Sequence, residues 1–304
     1  MKPLLVVVCG PTASGKTELA IRLAEAWHCQ IISADSRQVY RELPIGSAAP
    51  SNAELLRVNH HLVGSVSIHE HYNAGMFAND AERILSQLFQ QNSTQILVGG
   101  TGLYIRALAE GLDDFPEVPD TIRQYYTQRL EKEGIFELQQ ELKLRDAAYA
   151  CEVDLSNKAR IIRALELIET TGIPYSNLRK GKTKNAEFDV CYIMPEWDRE
   201  ALYLRINERA HRMLSNGWIE EAQNLIEHRK LKALQTLGYP EIFEMLDGSI
   251  SHAQCLEKIQ QATRRYAKRQ LTWFRNQTNY TGVDVSISDS ELELLMKKID
   301  RRRN

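Results

Sequence analysis

A glycine-rich loop near the start of the sequence carries the strongest chemical signal. It fits the pattern GxxxxGK[ST] and consists of Gly10, Pro11, Thr12, Ala13, Ser14, Gly15, Lys16 and Thr17, called the P-loop below. It lies between an apolar run that predicts a buried strand and a stretch that predicts an amphipathic helix. Converging backbone N–H groups and the lysine would bind phosphates, and the Thr17 hydroxyl can ligate Mg²⁺. The loop predicts diphosphate or triphosphate binding without distinguishing the two.

The carboxyl ends of two further predicted strands carry polar residues. Asp35 follows the second strand, where a carboxylate can accept a proton from an acceptor hydroxyl or amine. An N-cap or an Asx turn is the structural alternative for Asp35, and the catalytic interpretation is favoured. The strand at 95–98 ends in Gly99-Gly100-Thr101-Gly102 rather than in the acid of an ATPase. These glycines form a tight turn, allow close approach of a ligand, or do both.

Other charged residues are more ambiguous. Arg205 and Arg209 are four residues apart, so they share one helix face and could clamp a leaving diphosphate. Salt bridges within the helix explain the same spacing equally well. The pairs His60-His61 and His69-Glu70-His71 lack a third ligand at a recognisable spacing, so they are interpreted as ordinary surface or core histidines.

A basic stripe marks the last long predicted helix. Arg264, Arg265, Lys268, Arg269 and Arg275 lie in a stretch that contains no acid. A solvated charged face is the structural alternative. The single sign of charge and the neighbouring Trp273-Phe274 favour phosphate contact or base stacking instead.

The elements that position these residues are predicted to form an α/β fold. Strands alternate with helices up to about residue 112, which predicts a doubly wound parallel sheet of the P-loop NTPase-like class. From residue 113 the pattern becomes a series of helices, and a strand pattern returns at 190–194. We therefore predict a core of residues 1–112 and 188–304, with a helical insertion domain at 113–187.

Composition limits the class of protein. Apolar residues make up 43% of the 304 residues, enough to bury a sizeable core. The five cysteines are scattered and contain no CxxC pair, which suits a reducing compartment. No signal peptide or membrane span is predicted, so we expect a cytoplasmic protein.

Several motifs, in order along the chain, resemble the bacterial tRNA dimethylallyltransferases, also called isopentenyl-tRNA transferases. They are the P-loop, residues 35–40, Ile45-Gly46-Ser47-Ala48, residues 98–104, residues 160–166, Gly238-Tyr239 and residues 263–275. The resemblance covers nearly the whole chain. The combination is specific to the family, whereas the P-loop alone is not.

The resemblance implies a transfer of a dimethylallyl group from dimethylallyl diphosphate to the N6 amine of the adenosine 3′ of the anticodon. The P-loop would hold the diphosphate with Mg²⁺, Asp35 would be the base, and Thr101 and Arg209 would assist. The insertion domain would close on the anticodon stem-loop of a tRNA, and a monomer is expected. The implied tRNA contacts are Asp35, Ser36, Arg37, Gln38, Thr101, Arg123, Ala159, Arg160, Ile161, Ile162, Arg163, Gly238, Tyr239, Lys268, Arg269, Gln270, Thr272, Trp273 and Arg275.

Two departures and two rival interpretations accompany the resemblance. Pro240 replaces an expected basic residue, and the segment 154–157 departs from the family's spacing. A small-molecule P-loop kinase would share Asp35 but would not need the basic helix. A non-catalytic RNA-binding module would leave the P-loop and Asp35 without a role.

Overall fold

The computed structural model describes residues 2–113, 115–179, 187–284 and 286–301, and within them a six-stranded parallel sheet forms the centre. The strand order is β3-β2-β4-β1-β5-β6. Since every pair is parallel, all carboxyl ends lie at one edge. The strands are β1 (Leu4–Cys9), β2 (Ile31–Ser33), β3 (His60–His61), β4 (Thr94–Gly99), β5 (Asp189–Glu196) and β6 (Thr281–Asp284).

The helices of the described residues cover both faces of this sheet and also form a separate group. None of them is both long and apolar enough to cross a membrane. They are α1 (Lys16–Trp27), α2 (Asn52–Arg57), α3 (Ala74–Leu88), α4 (Gly102–Glu110), α5 (Asp120–Glu133), α6 (Ile135–Arg145), α7 (Ala147–Glu152), α8 (Lys158–Thr171), α9 (Tyr175–Leu178), α10 (Arg199–Met213), α11 (Ile219–Asn224), α12 (Tyr239–Leu246), α13 (His252–Gln277) and α14 (Asp289–Arg301).

Alternate residues of β1 supply the cores on the two faces of the sheet. Leu5 and Val7 pack with α3, α4 and the end of α13, whereas Val6 and Val8 pack with α1 and α14. This two-residue period is the one that a strand covered on both faces requires. The predicted doubly wound α/β class is therefore confirmed.

The chain divides into two compact units, Met1–Ala109 with Asn185–Asn304 and Glu110–Lys184. The expected insertion at 113–187 contains residues 114 and 180–186, which lie outside the described residues. Within the second unit, α5 to α9 surround a core that includes Leu138, Leu142 and Ile161.

One helix predicted by the sequence pattern, at 217–228, is interrupted in the structure, so that prediction is wrong. Gly217 has a φ of 99° inside the π-helical turn Leu214–Trp218. The regular helix α11 starts two residues later and has only six residues. A left-handed glycine interrupts the run because it reverses the local direction of the backbone.

Asp146 fixes the start of α7 and holds α9 against it. Its Oδ1 accepts hydrogen bonds from Tyr149 N at 3.0 Å and Ser176 Oγ at 2.8 Å, and its Oδ2 accepts one from Ser176 N at 2.7 Å. Burial favours a higher pKa for this carboxyl, but the hydrogen bonds from Ser176 and Tyr149 outweigh it and lower the pKa.

We expect Asp146→Ala to destabilise the helical unit by about 1–3 kcal/mol, because buried donors lose their acceptor. A depressed pKa means that the carboxylate stabilises the fold at neutral pH and loses this effect as pH falls below the unfolded value of 3.8. Urea unfolding at pH 7 and pH 3 measures both effects. A variant whose stability depends on pH as strongly as the parent's would contradict this role.

Candidate active site

The ends of β2 and β4 bring Asp35 and Thr101 together. Thr101 N donates to Ala34 O at 3.2 Å, and Ala34 N donates to Val98 O at 2.7 Å. Ser36 N donates to Thr101 Oγ1 at 3.0 Å, which fixes the threonine hydroxyl beside the aspartate's own turn. Two residues that are far apart in sequence therefore become neighbours at the carboxyl edge of the sheet.

The glycines after β4 permit close packing between protein groups. A Cβ on Gly99 would lie 2.6 Å from the Ala34 carbonyl carbon and 2.8 Å from its Cβ. A side chain on Gly100 would overlap Gln270, and one on Gly102 would overlap the Trp273 ring. The tight-turn interpretation is confirmed, and the close approaches at these positions are made by the protein itself.

One carboxylate oxygen of Asp35 forms the turn that was its structural alternative. Its Oδ1 accepts from Arg37 N at 2.9 Å and from Gln38 N at 3.4 Å, which is an Asx turn. Within the described part of the chain, its Oδ2 has no hydrogen-bond partner, and the residue lines a cavity next to the P-loop. One oxygen thus fixes the side chain while the other is available to a bound group.

Side chains from outside the P-loop hold its carbonyl groups. Trp197 Nε1 donates to Ser14 O at 2.9 Å, and Arg205 Nε donates to Ala13 O at 2.9 Å. In a trans peptide the N–H points away from the C=O, so these contacts direct the next N–H groups to the opposite side. Arg205 also lies over the Trp197 ring at 4.5 Å. This places Arg205 as a support of the loop.

Gln270 connects the P-loop to the turn after β4. Its Oε1 accepts from Thr12 N at 2.9 Å, and its Nε2 donates to Gly100 O at 2.9 Å. The side chain is 6% exposed, so both bonds form away from bulk water. The amide of Gln270 therefore has an internal role, and its expected tRNA contact stays a prediction.

The P-loop, Asp35 and α10 enclose a cavity of about 380 Å³. Burial lowers the pKa of Lys16 to about 8, with Asp35 opposing the shift and Arg209 adding to it. Burial likewise lowers the pKa of Arg209, and Asp35 again opposes the shift. Within the described residues neither cation has a carboxylate at ion-pair distance, so both are available to a bound anion.

The cavity fits a magnesium ion held mainly by phosphate oxygens. Thr17 lines it and supplies a hydroxyl oxygen. Mg²⁺ commonly takes one or two protein ligands together with substrate phosphates and water.

A carboxylate from α11 fixes one wall of the cavity. Glu221 accepts from Ile45 N at 2.7 Å, Gly46 N at 2.9 Å and the Tyr239 hydroxyl at 2.6 Å. Burial is the largest cause that raises the pKa of Tyr239, and the Glu221 charge is next. Tyr239 therefore donates its proton inside the protein, although it was expected to contact tRNA.

The predicted basic stripe is confirmed as the exposed side of α13. Lys268, Arg269, Thr272 and Arg275 are exposed, and within the described residues none of these three cations has an ion-pair partner. Arg264 instead donates to Asn207 Oδ1 at 2.7 Å. The Trp273 ring packs on Gly102 and the core, so less of it is available for stacking than expected.

The remaining residues expected to contact tRNA divide between surface and interior. Gln38 Nε2 donates to Ala48 O at 3.0 Å and its Oε1 accepts from Ser33 Oγ at 2.9 Å, so its side chain is used internally. In the helical unit, Ala159 and Arg160 are exposed. Ile161 is fully buried in that unit's core, and its side chain cannot reach a ligand at the surface.

The sequence is similar to those of known proteins. A family model described as IPP transferase matches residues 38–277. The chain belongs to the IPP transferase family. Two similar proteins are tRNA dimethylallyltransferase 1 of Bacteroides thetaiotaomicron, 43% identical over 90% of this chain and 89% of that protein, and tRNA dimethylallyltransferase of Christiangramia forsetii, 44% identical over 90% and 91%.

Solved structures give the same assignment. The tRNA delta(2)-isopentenylpyrophosphate transferase of Staphylococcus epidermidis matches with a TM-score of 0.71 and 33% identity, over 99% of this chain and 100% of that one. A eukaryotic dimethylallyltransferase acting on tRNA has a TM-score of 0.79 over 98% of this chain and 78% of that one. At 23% identity, the latter likeness shows the fold alone.

Sequence analysis missed two residues that organise the site of this IPP transferase family member, Trp197 and Glu221. Trp197 directly follows β5, at the edge where the P-loop lies, so its position after a strand could have identified it. Glu221 carries no comparable signal, because its three partners come from segments that are distant in sequence.

We expect the affinity for inorganic pyrophosphate to fall as pH rises above about 8, because Lys16 then loses its proton. Linkage limits this loss to about tenfold per pH unit. Calorimetric titration between pH 7 and 9.5 measures it. The Lys16→Met variant is the control, since pyrophosphate's own ionisation affects both proteins equally. Identical pH dependence in the two proteins would show that Lys16 does not contact the anion.

Proposed function

We propose that this protein transfers a dimethylallyl group from dimethylallyl diphosphate to the N6 amine of the adenosine 3′ of the anticodon in tRNA. The diphosphate is the second product. The printed names of the related proteins support this reaction. None of these relatives is named as a kinase, so the kinase alternative has no support from them.

The observation that carries the proposal is the composition of one cavity. Lys16 and Arg209 supply two partly buried cations, and Asp35 supplies a carboxylate in the same space. Transfer of an allyl group to an amine needs both, since negative charge develops on the leaving group while the amine loses a proton. A hydrolase would instead need a residue that orients water.

The reaction breaks the allylic C1–O bond, and the electron pair stays on the diphosphate. Lys16, Arg209 and the P-loop N–H groups stabilise that charge in a site largely shielded from water. The adenine nitrogen forms the new bond to C1, and Asp35 accepts the proton that the nitrogen loses. Mg²⁺ held at Thr17 would supply further positive charge to the diphosphate.

The acceptor is proposed to bind along α13. Tyr266 and Arg269 line the cavity, and Lys268 and Arg275 belong to the exposed basic stripe of the same helix. RNA phosphates on the stripe would therefore lie close to a base in the cavity. An adenine must leave its stack to reach a buried site, so we expect the base to be flipped out. Two arginines of the helical unit, the half-buried Arg123 and the exposed Arg160, are proposed as further tRNA contacts.

One incubation tests the proposed function. Unmodified tRNA is mixed with labelled dimethylallyl diphosphate and Mg²⁺, without ATP. Label in the adenosine 3′ of the anticodon is the expected result. No transfer under these conditions, with transfer of a phosphate from ATP to a small molecule, would favour a kinase.

Asp35→Asn should slow transfer by about 10²–10⁴-fold, the usual effect of a positioned base. Asparagine keeps the Oδ1 that accepts from Arg37 N, so the turn is retained while the basic oxygen is lost. Single-turnover rates at saturating substrate measure the effect, and tRNA affinity should change little. A rate within a few-fold of the parent would leave Asp35 with only its structural role.

The double variant Lys268→Gln/Arg269→Gln should reduce the salt dependence of tRNA binding by roughly one unit of slope per lost phosphate contact. Binding of dimethylallyl diphosphate should change little, because the P-loop binds it. Filter binding across a series of salt concentrations gives the slope.

The double variant Lys297→Gln/Lys298→Gln is the matched control for this experiment. It removes two exposed lysines from α14, which carries no proposed tRNA contact. Its slope should equal the parent's. Equal slopes for all three proteins would remove these two residues of the α13 stripe from the RNA interface.

A further inference from the structure

The residues of α10 that line the cavity change from a cationic one to apolar ones with increasing distance from the P-loop. Ile206, Arg209, Ala210 and Met213 have the spacing i, i+3, i+4 and i+7, so they share the helix face that lines the cavity. Ile206 packs against Ala13 of the P-loop, whereas Ala210 belongs to the apolar cluster at the other end. Met213 lies one helical turn beyond Arg209, a distance of about 6 Å along the axis.

The residues of the facing helix, α13, also change from polar near the P-loop to apolar away from it. Gln270 holds the P-loop, Thr263 comes two turns earlier, and Ile259 lies in the apolar cluster with Trp218. The Thr263 hydroxyl donates to Ile259 O at 2.7 Å, so its hydrogen is already used within the helix. The end of the cavity away from the P-loop therefore has little capacity for new hydrogen bonds on these two helices.

Trp218 makes this apolar end rigid. It is 3% exposed and lines the cavity. A side chain on Gly46 or on Gly238 would overlap its indole ring, so the ring is held between two backbone segments. Met213 is an unbranched side chain that lies between this fixed wall and Arg209. The flexible Met213 side chain can change its conformation far more easily than the Trp218 ring can.

These two walls suit the allyl group better than the adenine. An adenine carries nitrogen acceptors and an amine around its ring. Among the polar groups that could meet them, Asp35 and Arg37 belong to the turn after β2 and not to α10 or the segment of Trp218. A branched hydrocarbon has no polar atom and gains by contact with Ala210 and Met213.

We propose that Met213, backed by Trp218, limits the allylic diphosphate to a five-carbon chain. This inference rests on the proposed function. With the diphosphate at Lys16 and Arg209, a dimethylallyl group fills the space beside the one helical turn between Arg209 and Met213. A second isoprene unit, as in geranyl diphosphate, meets the methionine and then the fixed indole ring.

The test compares geranyl diphosphate with dimethylallyl diphosphate as donors, with the same anticodon stem-loop RNA and mass spectrometry of the product nucleosides. Met213→Ala should raise the ratio of kcat/KM for geranyl over dimethylallyl by about tenfold or more, the usual effect of a methylene-scale change in a hydrophobic pocket. Ala210→Met adds volume to the same wall and should lower kcat/KM for dimethylallyl diphosphate by about tenfold.

Met245→Ala is the matched control. Met245 packs in the same apolar cluster as Trp218 but does not line the cavity, so its removal should leave the donor ratio at the parent's value. A Met213→Ala protein that melts like the parent and keeps the parent's donor ratio would overturn the inference. So would an Ala210→Met protein of normal stability with unchanged use of dimethylallyl diphosphate. A parent protein that transfers neither donor would overturn the proposed function itself, and the inference with it.

Discussion

The buried amide of Gln270 connects the P-loop, the turn after β4 and α13, on which the site depends. It accepts from the P-loop at Thr12 N and donates to Gly100 O after β4. Because Gln270 belongs to α13, these two bonds also fix that helix over the carboxyl edge of the sheet. A glutamine is suited to this position, since one side chain supplies both an acceptor and a donor without introducing a buried charge. The basic stripe of α13 is consequently held in register with the cavity.

The cations of the site, Lys16 and Arg209, are partly buried and have no carboxylate at ion-pair distance among the described residues. Such burial is unfavourable, and the lowered pKa values of Lys16 and Arg209 express it. A bound diphosphate would relieve this cost, so substrate binding and the stability of the folded protein are coupled. A site of this kind is prepared for an anion before the anion arrives, which is the condition for electrostatic stabilisation of a leaving group.

The sequence predicted the elements that repeat a strong local pattern. The P-loop, the fully buried strand β1 and the two faces of α13 were all readable, because each is encoded by neighbouring residues. The short strands β3 and β6 were not, since two and four residues are too few for a period. The roles of Trp197, Glu221 and Gln270 were also missed, because each depends on contacts between distant segments.

Some residues lie where the sequence placed them, but the contacts that the structure gives them are with the protein itself. Gly99 and Gly100 lie at the ligand-binding edge of the sheet, yet their lack of a side chain accommodates Ala34 and Gln270. Sequence spacing places a residue at an edge, but it does not say which atoms fill the space beside it. Tyr239 illustrates the same limit, since its hydroxyl is used by Glu221.

The proposed reaction needs a base and two cations in one cavity, and these attract each other. An ion pair between Asp35 and Lys16 or Arg209 would neutralise the groups that the reaction uses. The structure separates them through the backbone: the Arg37 N–H engages Oδ1 of Asp35 and fixes the direction of the carboxylate. Lys16 Nζ donates to Pro11 O at 3.2 Å, which holds the ammonium group over its own loop. Asp35 therefore opposes the lowering of the pKa of Lys16 and of Arg209 without contacting either cation. A diphosphate bound to the cations would leave Asp35 free to accept the proton from the amine.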